Sequence, residues 1–303
     1  MSLVVNNNLM AANTARTLNQ HYGRLQTSTQ RLSSGMRINS AADDAAGLAI
    51  RELQRADIAA LQQGARNAND AISMIQTADG ALGVIDEKLI RLKELAEQAA
   101  TGTYDSTQRL MIESEYQAMA SEITRIANAT DFNGMKLLDG TLSAETGKSA
   151  AESHDGSGMV AKGPMKIHFG TGNDSAEDYY YVTIGNCTAS ALGVGNSAKG
   201  ADAETVSTQA AAQKALVGIN EAIVSKDKIR AHLGAMQNRL ENTITNLNVQ
   251  AENLQAAESR ISDVDVATEM TQFVRNQILT QSAVAMLGQA NSLPQMAMQL
   301  IGG

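Results

Sequence analysis

The sequence predicts a mainly α fold: a long antiparallel helical rod or coiled coil with its N- and C-terminal helices paired, plus a small β-hairpin region at residues 140–204. Three observations carry this. Only two prolines occur, at 164 and 294, so almost the whole chain is free of strong helix breakers. Apolar residues recur at alternating spacings of three and four, the signature of a helix with one buried stripe. The available core is aliphatic, since 43% of residues are hydrophobic but only 3% aromatic, with no Trp and 14 Met. Such side chains suit helices packed closely side by side.

Residues 2 to about 36 read as the first helix. Its stripe is Ala11, Ala15, Leu18, Tyr22, Leu25, Thr29, Leu32 and Met36, and "SSG" at 33–35 ends it. In "NSAADDAAGLAI", Asn39 to Ile50, Ser40, Asp43 and Asp44 suit a helix start, where a carboxylate accepts from free N–H groups and meets the positive end of the dipole. With no His or third carboxylate at ligand spacing, capping is favoured over metal binding. The next helix carries the longest stripe: Leu61, Gly64, Ala68, Ala71, Ile75, Ala78, Leu82, Ile85, Leu89, Leu92, Ala96 and Ala99. "TGTYDS" at 101–106 breaks it. A further helix from about Thr107 presents Ile112, Tyr116, Met119, Ile123 and Ile126 until the turn residues "DFNG" at 131–134 stop it.

Residues 140–204 are rich in Gly, Ser, Thr and Ala. Met165, Ile167 and Phe169, then Tyr180, Val182 and Ile184, alternate with period two, so they read as two strands joined through "GTGNDSAED". This is the one segment expected to hold β structure. From about Thr205 the helical period returns through Ala212, Leu216, Ile219, Ile223, Leu233, Leu240, Ile244, Leu247, Ala251, Leu254 and Ile261, with Lys226, Arg230, Gln237 and Glu258 in the remaining seam positions. At about 1.5 Å per residue, 212–261 would extend on the order of 75 Å if unbroken. The expected architecture is a hairpin of the whole chain, with both termini at one end.

The ends carry the functional signal. From Asn276 to Gly303 there is no Lys, Arg, Asp, Glu or His, and Met1 to Ala15 is likewise uncharged. A membrane span needs roughly 20 consecutive apolar residues, and Gln277, Gln281, Gln289, Asn291 and Gln295 interrupt every such run; a cleavable signal peptide fits the N-terminus poorly. Instead Leu279, Ala283, Met286, Ala290, Leu293, Ala297 and Leu300 form a seam like that of the first helix. In a polymer of identical copies a buried charge meets its like or is desolvated at a cost of several kcal/mol, whereas Gln and Asn bridge without that penalty. Repeated contacts that do not close into a ring build a helical filament. The stripes at 61–126 and 212–261 read as the core of a bundle, and the terminal stripes as polymerisation seams.

Other function classes fit badly. A net charge of -8 opposes general nucleic-acid binding. The single cysteine, Cys187, excludes an internal disulfide framework. His21, His154, His168 and His232 are scattered, and no metal cluster, phosphate loop or nucleophile motif stands out, so no enzyme activity, cofactor or metal is expected. The sequons at Asn128, Asn173 and Asn186 are short enough to arise by chance. A membrane-active amphipathic bundle is disfavoured by the many Gln and Asn residues and the acidic balance.

The long segments "RLSSGMRINSAADDAAGLAI" (31–50), "NANDAISMIQTADGAL" (67–82), "ATDFNGMKLL" (129–138), "SRISDVDVATEM" (259–270) and "ILTQSAVAMLGQANSLPQ" (278–295) resemble bacterial flagellin, across about the first 140 and last 100 residues. The resemblance implies an extracellular flagellar filament for swimming. Residues 1–43 and 263–303 would form the terminal coiled-coil domain lining the filament core, 44–140 and 205–262 an outer helical-rod domain, and 141–204 a short variable β-containing region. It also implies unfolded export by the flagellar type III apparatus, a secretion chaperone on the C-terminal helix, and hook-associated and cap proteins as further partners. Flagellins are also read by a Toll-like receptor; "LIRLKELAEQA" aligns with the recognised helix, placing Arg91 and Leu95 on key positions and Glu115 on the helix that follows. Against that stands their reading as ordinary solvated charges, with Leu95 off the stripe. The alternative within the same design is a hook-filament junction protein. The short 141–204 region, Cys187 and the ending "LIGG" depart from the family pattern.

Overall fold

The computed structural model describes residues 8–143, 163–174, 177–195 and 205–301, and their side chains up to residue 296. The fold is mainly α, as expected. In chain order the elements are α1 (Leu9–Ser34), α2 (Ala45–Ala100), α3 (Ser106–Ala129), β1 (Asp131–Phe132), β2 (Met135–Lys136), β3 (Met165–His168), β4 (Tyr179–Val182), α4 (Ala189–Leu192), α5 (Gln209–Ser262) and α6 (Val266–Ile301). Two compact units result, one of Met1–Ile58 with Glu252–Gly303 and one of Ala59–Ala251.

In the terminal unit each helix end has a named side chain. Asn8 accepts the Ala11 N–H at 3.1 Å to open α1, and Gly35 ends it with φ 72°, a left-handed conformation natural to glycine. Asp44 accepts the Gly47 N–H at 2.9 Å, while Asp43 accepts from the backbone N–H groups of Asn39 and Ser40 and from the Ser40 hydroxyl. The acidic pair therefore acts in a cap and a turn. These bonds, those from Ser40 foremost, hold the Asp43 carboxyl below its usual range. Asp265 plays the matching part at the start of α6, accepting from Ala267 N–H at 3.0 Å and from the Thr268 hydroxyl at 2.8 Å. The outgoing and returning segments are tied by an antiparallel bridge, Met36 to Asp263. Around it, Arg37 N–H donates to Ser262 at 2.7 Å and Val264 N–H to Gly35 at 3.0 Å, while the Arg37 guanidinium donates to the Ile261 carbonyl.

In the second unit, all twelve expected stripe residues of α2, Leu61 through Ala99, are buried. Ala65, Met74 and Leu95 are buried beside them, so the apolar face is wider than a two-position seam, as a helix covered by more than one neighbour requires. Full burial of each Leu or Ile contributes roughly 1.5–3 kcal/mol. Gly64 belongs to the stripe for a different reason: a Cβ there would lie 2.0 Å from the Phe169 carbonyl oxygen. The backbone following β3 rests directly on α2. Arg109 on α3 donates to the carbonyls of Ala99 and Thr101, satisfying the C-terminal end of α2. On α3, Ile112, Tyr116 and Ile123 are buried, with Met119 and Ile126 half-buried.

The β content exceeds the expectation. Residues 131–136, read only as a turn, form the hairpin β1–β2, with Asn133 (φ 51°) and Gly134 (φ 80°) both left-handed. Asn-Gly fits the two-residue turn that matches strand twist; strands of two residues are too short to show alternation. The expected hairpin forms as β3–β4, antiparallel with Met165 opposite Val182 and Ile167 opposite Tyr180. The short helix α4 had no periodic signal. Residues 144–162 and 196–204 of the region lie outside the described residues.

Helix α5 runs antiparallel to α2 within this unit. Ala212, Ile219, Leu233, Leu240 and Leu247 are buried along the expected register. Lys226, a seam position, is fully buried, its ammonium bonded to Asp86 of α2 and, at 2.8 Å, to Asp227. Arg230 reaches Asp79.

Candidate functional site

The uncharged ends meet as the pair α1 and α6. Asn8 Nδ2 donates to the Ala290 carbonyl at 2.8 Å, and at the other end Arg31 lies 3.8 Å from Glu269. The two helices are antiparallel neighbours along their length.

Which residues face inward differs from the expected seams. On α1, Ala11, Ala15, Leu18, Leu25 and Leu32 are half-buried as expected. Between them, however, the inner positions are taken by His21 and Ser28, while Tyr22 is 50% exposed and Thr29 is exposed. On α6, Ala283 and Ala290 are buried and Leu293 is half-buried, but Asn276, Thr280 and Leu287 alternate with them, while Leu279 is 38% and Met286 60% exposed. Ala297 and Leu300 lie outside the residues whose side chains are described.

The correction has one physical cause. The most deeply buried positions of the pair are small or polar, Ser28, Asn276, Thr280, Ala283 and Ala290, with Leu18, Leu25, Leu32, Leu287 and Leu293 half-buried around them, and the apolar residues one position along turn outward. Leu9, Met10 and Tyr22 on α1, and Val274, Ile278, Leu279, Val284 and Met286 on α6, are exposed. Both helices of the pair therefore carry large apolar side chains in contact with solvent. The charge pattern adds to this. Helix α1 carries Arg16, Arg24 and Arg31 and no acid; α6 carries Arg275 and Glu269.

The residues matched to receptor recognition sit elsewhere, in the second unit. Arg91 on α2 donates through Nη2 to Glu115 on α3 at 2.7 Å and through Nη1 to Glu94 at 2.9 Å. These bonds, that to Glu115 foremost, raise the Arg91 pKa. Arg91 and Glu115 are therefore a defined cross-helix ion pair on the surface. Leu95, expected off the stripe, is fully buried in the core; it flanks the seam on the side facing α3.

Among the described residues no group of three His, Cys, Asp or Glu is placed to hold a metal ion, and no helix is long and apolar enough to cross a membrane. Cys187 is buried, and burial pushes its thiol up to about 12, which keeps it protonated and unreactive.

The pairing of α1 with α6, and the large apolar side chains it leaves exposed, are the features that the comparisons with known proteins bear on. Residues 5–143 match the bacterial flagellin N-terminal helical region, and residues 216–301 the bacterial flagellin C-terminal helical region. The chain is 42% identical to the flagellin of Bacillus subtilis (strain 168) over 302 residues, covering 98% of this chain and 99% of that one. It is 40% identical to the flagellar filament 33 kDa core protein of Treponema phagedenis over 299 residues, covering 99% of this chain and 100% of the other. A solved structure of a flagellar hook-associated protein from Vibrio parahaemolyticus superposes with a TM-score of 0.53 at 15% identity, over 73% of this chain and 100% of that one; this is a likeness of fold. The chain belongs to the bacterial flagellin family.

Proposed function

We propose that this chain is a structural subunit of the extracellular flagellar filament used for swimming, and that copies assemble through the outward apolar face of the α1–α6 pair. The supporting observation is that Tyr22, Ile278, Leu279, Val284 and Met286 are exposed on helices that already pair with each other. In this reading the expected seam residues serve two contacts. Ala11, Ala15, Leu18, Leu25, Leu32, Ala283, Ala290 and Leu293 belong to the pairing within one copy, and Tyr22, Leu279 and Met286 to pairing between copies. The terminal domain, proposed as 1–43 with 263–303, would line the filament core. Export unfolded through the type III apparatus, a chaperone on α6, and hook-associated and cap proteins at the filament ends complete the proposal; no enzymatic role is assigned.

Seeded polymerisation of purified chain tests it, beside a truncation lacking Asn276–Gly303, followed by sedimentation and electron microscopy. Long tubes from the full chain alone support the reading. Assembly that stops after a limited number of copies favours the junction protein instead.

Recognition by a Toll-like receptor is a second proposal, favoured by the exposed Arg91–Glu115 pair. Leu95 enters it as packing beneath that pair. Receptor-reporter cells should lose response to the charge-swapped chain, R91E/E115R, with its melting temperature kept. An unchanged response would remove the pair from recognition.

A further inference from the structure

Between α1 and α6 lies a groove of about 440 Å³ bordered by Arg24, Ser28, Arg31, Glu269, Arg275 and Asn276. Its chemistry is lopsided. The pairing register that sets Asn8 beside Ala290 and Arg31 beside Glu269 brings Arg24 and Arg275 to the same level from opposite helices. Neither has an ion pair or hydrogen bond among the described residues. Both guanidinium groups are exposed and free of such partners, so they stand at the rim of the groove available to an incoming anion.

The groove also holds one carboxylate, that of Glu269, beside Ser28, Asn276 and Arg31. Ser28 and Asn276 are largely buried, with their polar side-chain atoms reaching the groove rather than being sealed off. Arg31 holds Glu269 at 3.8 Å and Asp43 at 3.7 Å, both long for ion pairs, and its Nε is buried without a partner. A buried donor left unmatched costs stability, so Arg31 Nε together with the free guanidinium groups of Arg24 and Arg275 defines a complementary ligand. That ligand is a planar anion able to take paired N–H bonds from guanidinium and further bonds from an amide and a hydroxyl.

We propose that this groove receives a side-chain carboxylate from a second copy of the chain. Charge complementarity selects the occupant: the two terminal helices carry four arginines and one glutamate, while the chain as a whole has a net charge of -8. Everything outside the pair is thus strongly acidic, and each copy offers its neighbour both halves of the contact. The groove adds a directional, salt-sensitive element to an apolar face that alone would fix orientation weakly. This inference rests on the filament reading, because it names a partner for the same helix pair.

The test uses the full chain and the double variant R24Q/R275Q, with R24K/R275K to separate charge from packing. Wild-type elongation from seeds is the check on the filament reading itself. Given that, the glutamine variant should keep the wild-type melting temperature as a monomer yet raise the critical concentration for elongation about five- to tenfold at low salt, with its salt dependence flattened. The lysine variant should recover most of that loss. Elongation of R24Q/R275Q indistinguishable from wild type would overturn the inference while leaving the filament reading intact. So would titration of the monomer with inorganic phosphate, if Arg24 and Arg275 bound it while elongation stayed unaffected by phosphate and by the variant; the groove would then serve a free anion.

Discussion

Lys226 of α5 buries its ammonium against Asp86 of α2, in the middle of a seam otherwise filled by Ala, Leu and Ile. The two partners stand in unequal surroundings: Lys226 has 2% of its side chain exposed and Asp86 31%. Removing one is therefore unlike removing the other. Lys226→Met fills the same space with apolar atoms and leaves two carboxylates that water can reach, so it should cost less than about 1 kcal/mol. Asp86→Ala leaves the buried ammonium with Asp227 alone and should cost about 2–3 kcal/mol. Urea unfolding of both variants, monitored by circular dichroism, measures the difference; equal costs would remove the asymmetry.

The same pair carries a pH signature. Burial alone would lower the Lys226 pKa, but its hydrogen bonds to Asp227 and Asp86 outweigh that and raise it above the ordinary 10.5. A group raised on folding stabilises fully below its unfolded pKa and loses that contribution as pH rises through the folded value. Stability should thus fall in the alkaline range above about pH 10.5, and less steeply in Lys226→Met. Identical alkaline unfolding profiles would show that other groups dominate.

Gly64→Ala should cost about 1–3 kcal/mol, since the added Cβ meets a backbone carbonyl, which cannot swing aside as a side chain can. The damage should appear in the β3–β4 hairpin, as faster hydrogen exchange at Ile167 and Phe169. Gly83→Ala on the same helix, where a Cβ meets nothing within 4 Å, should be neutral or stabilising.

Ala290→Leu and Met286→Ser separate the two faces of α6. Ala290 is buried against α1, so the larger side chain should loosen the pair by about 1–3 kcal/mol. Met286 points outward, so its loss should change monomer stability by no more than about 0.5 kcal/mol while slowing seeded elongation. Equal elongation rates for Met286→Ser and wild type would take Met286 out of the copy-to-copy contact.

Cys187 should resist alkylation in the folded chain at neutral pH and react fully in urea, as its burial and its pKa of about 12 require. Mass spectrometry of iodoacetamide-treated samples reads this directly. Rapid native labelling would mean that the loop after β4 opens.

The stripe of α2 is legible because it keeps one register over twelve positions with Leu82, Ile85, Leu89 and Leu92 at its centre, whereas its exposed apolar residues, such as Val84 and Ile90, form no such run. The terminal pair reverses this relation. Periodicity places bulky side chains inside and so points to Tyr22, Leu279 and Met286, one position from His21, Thr280 and Leu287. Had small and hydroxyl-bearing residues been scored as close-approach positions, Ser28 and Thr280 would have marked the inner face. Leu95 falls outside a two-position seam because such a seam is too narrow for a helix packed by both α3 and α5. The Arg24–Arg275 groove had no sequence signal, since it depends on the register between helices some 250 positions apart.

Long seams of Ala, Leu and Ile resemble a ruler without numerals, in which a shift of one heptad costs few contacts. Lys226 opposite Asp86 and Arg230 opposite Asp79 supply the numerals. A one-heptad slip in one direction carries Lys226 to the level of Lys93; in the other it carries Arg230 to the level of Ile72. Either slip strands a cation, so the two ion pairs act as keys that admit a single alignment of α2 with α5.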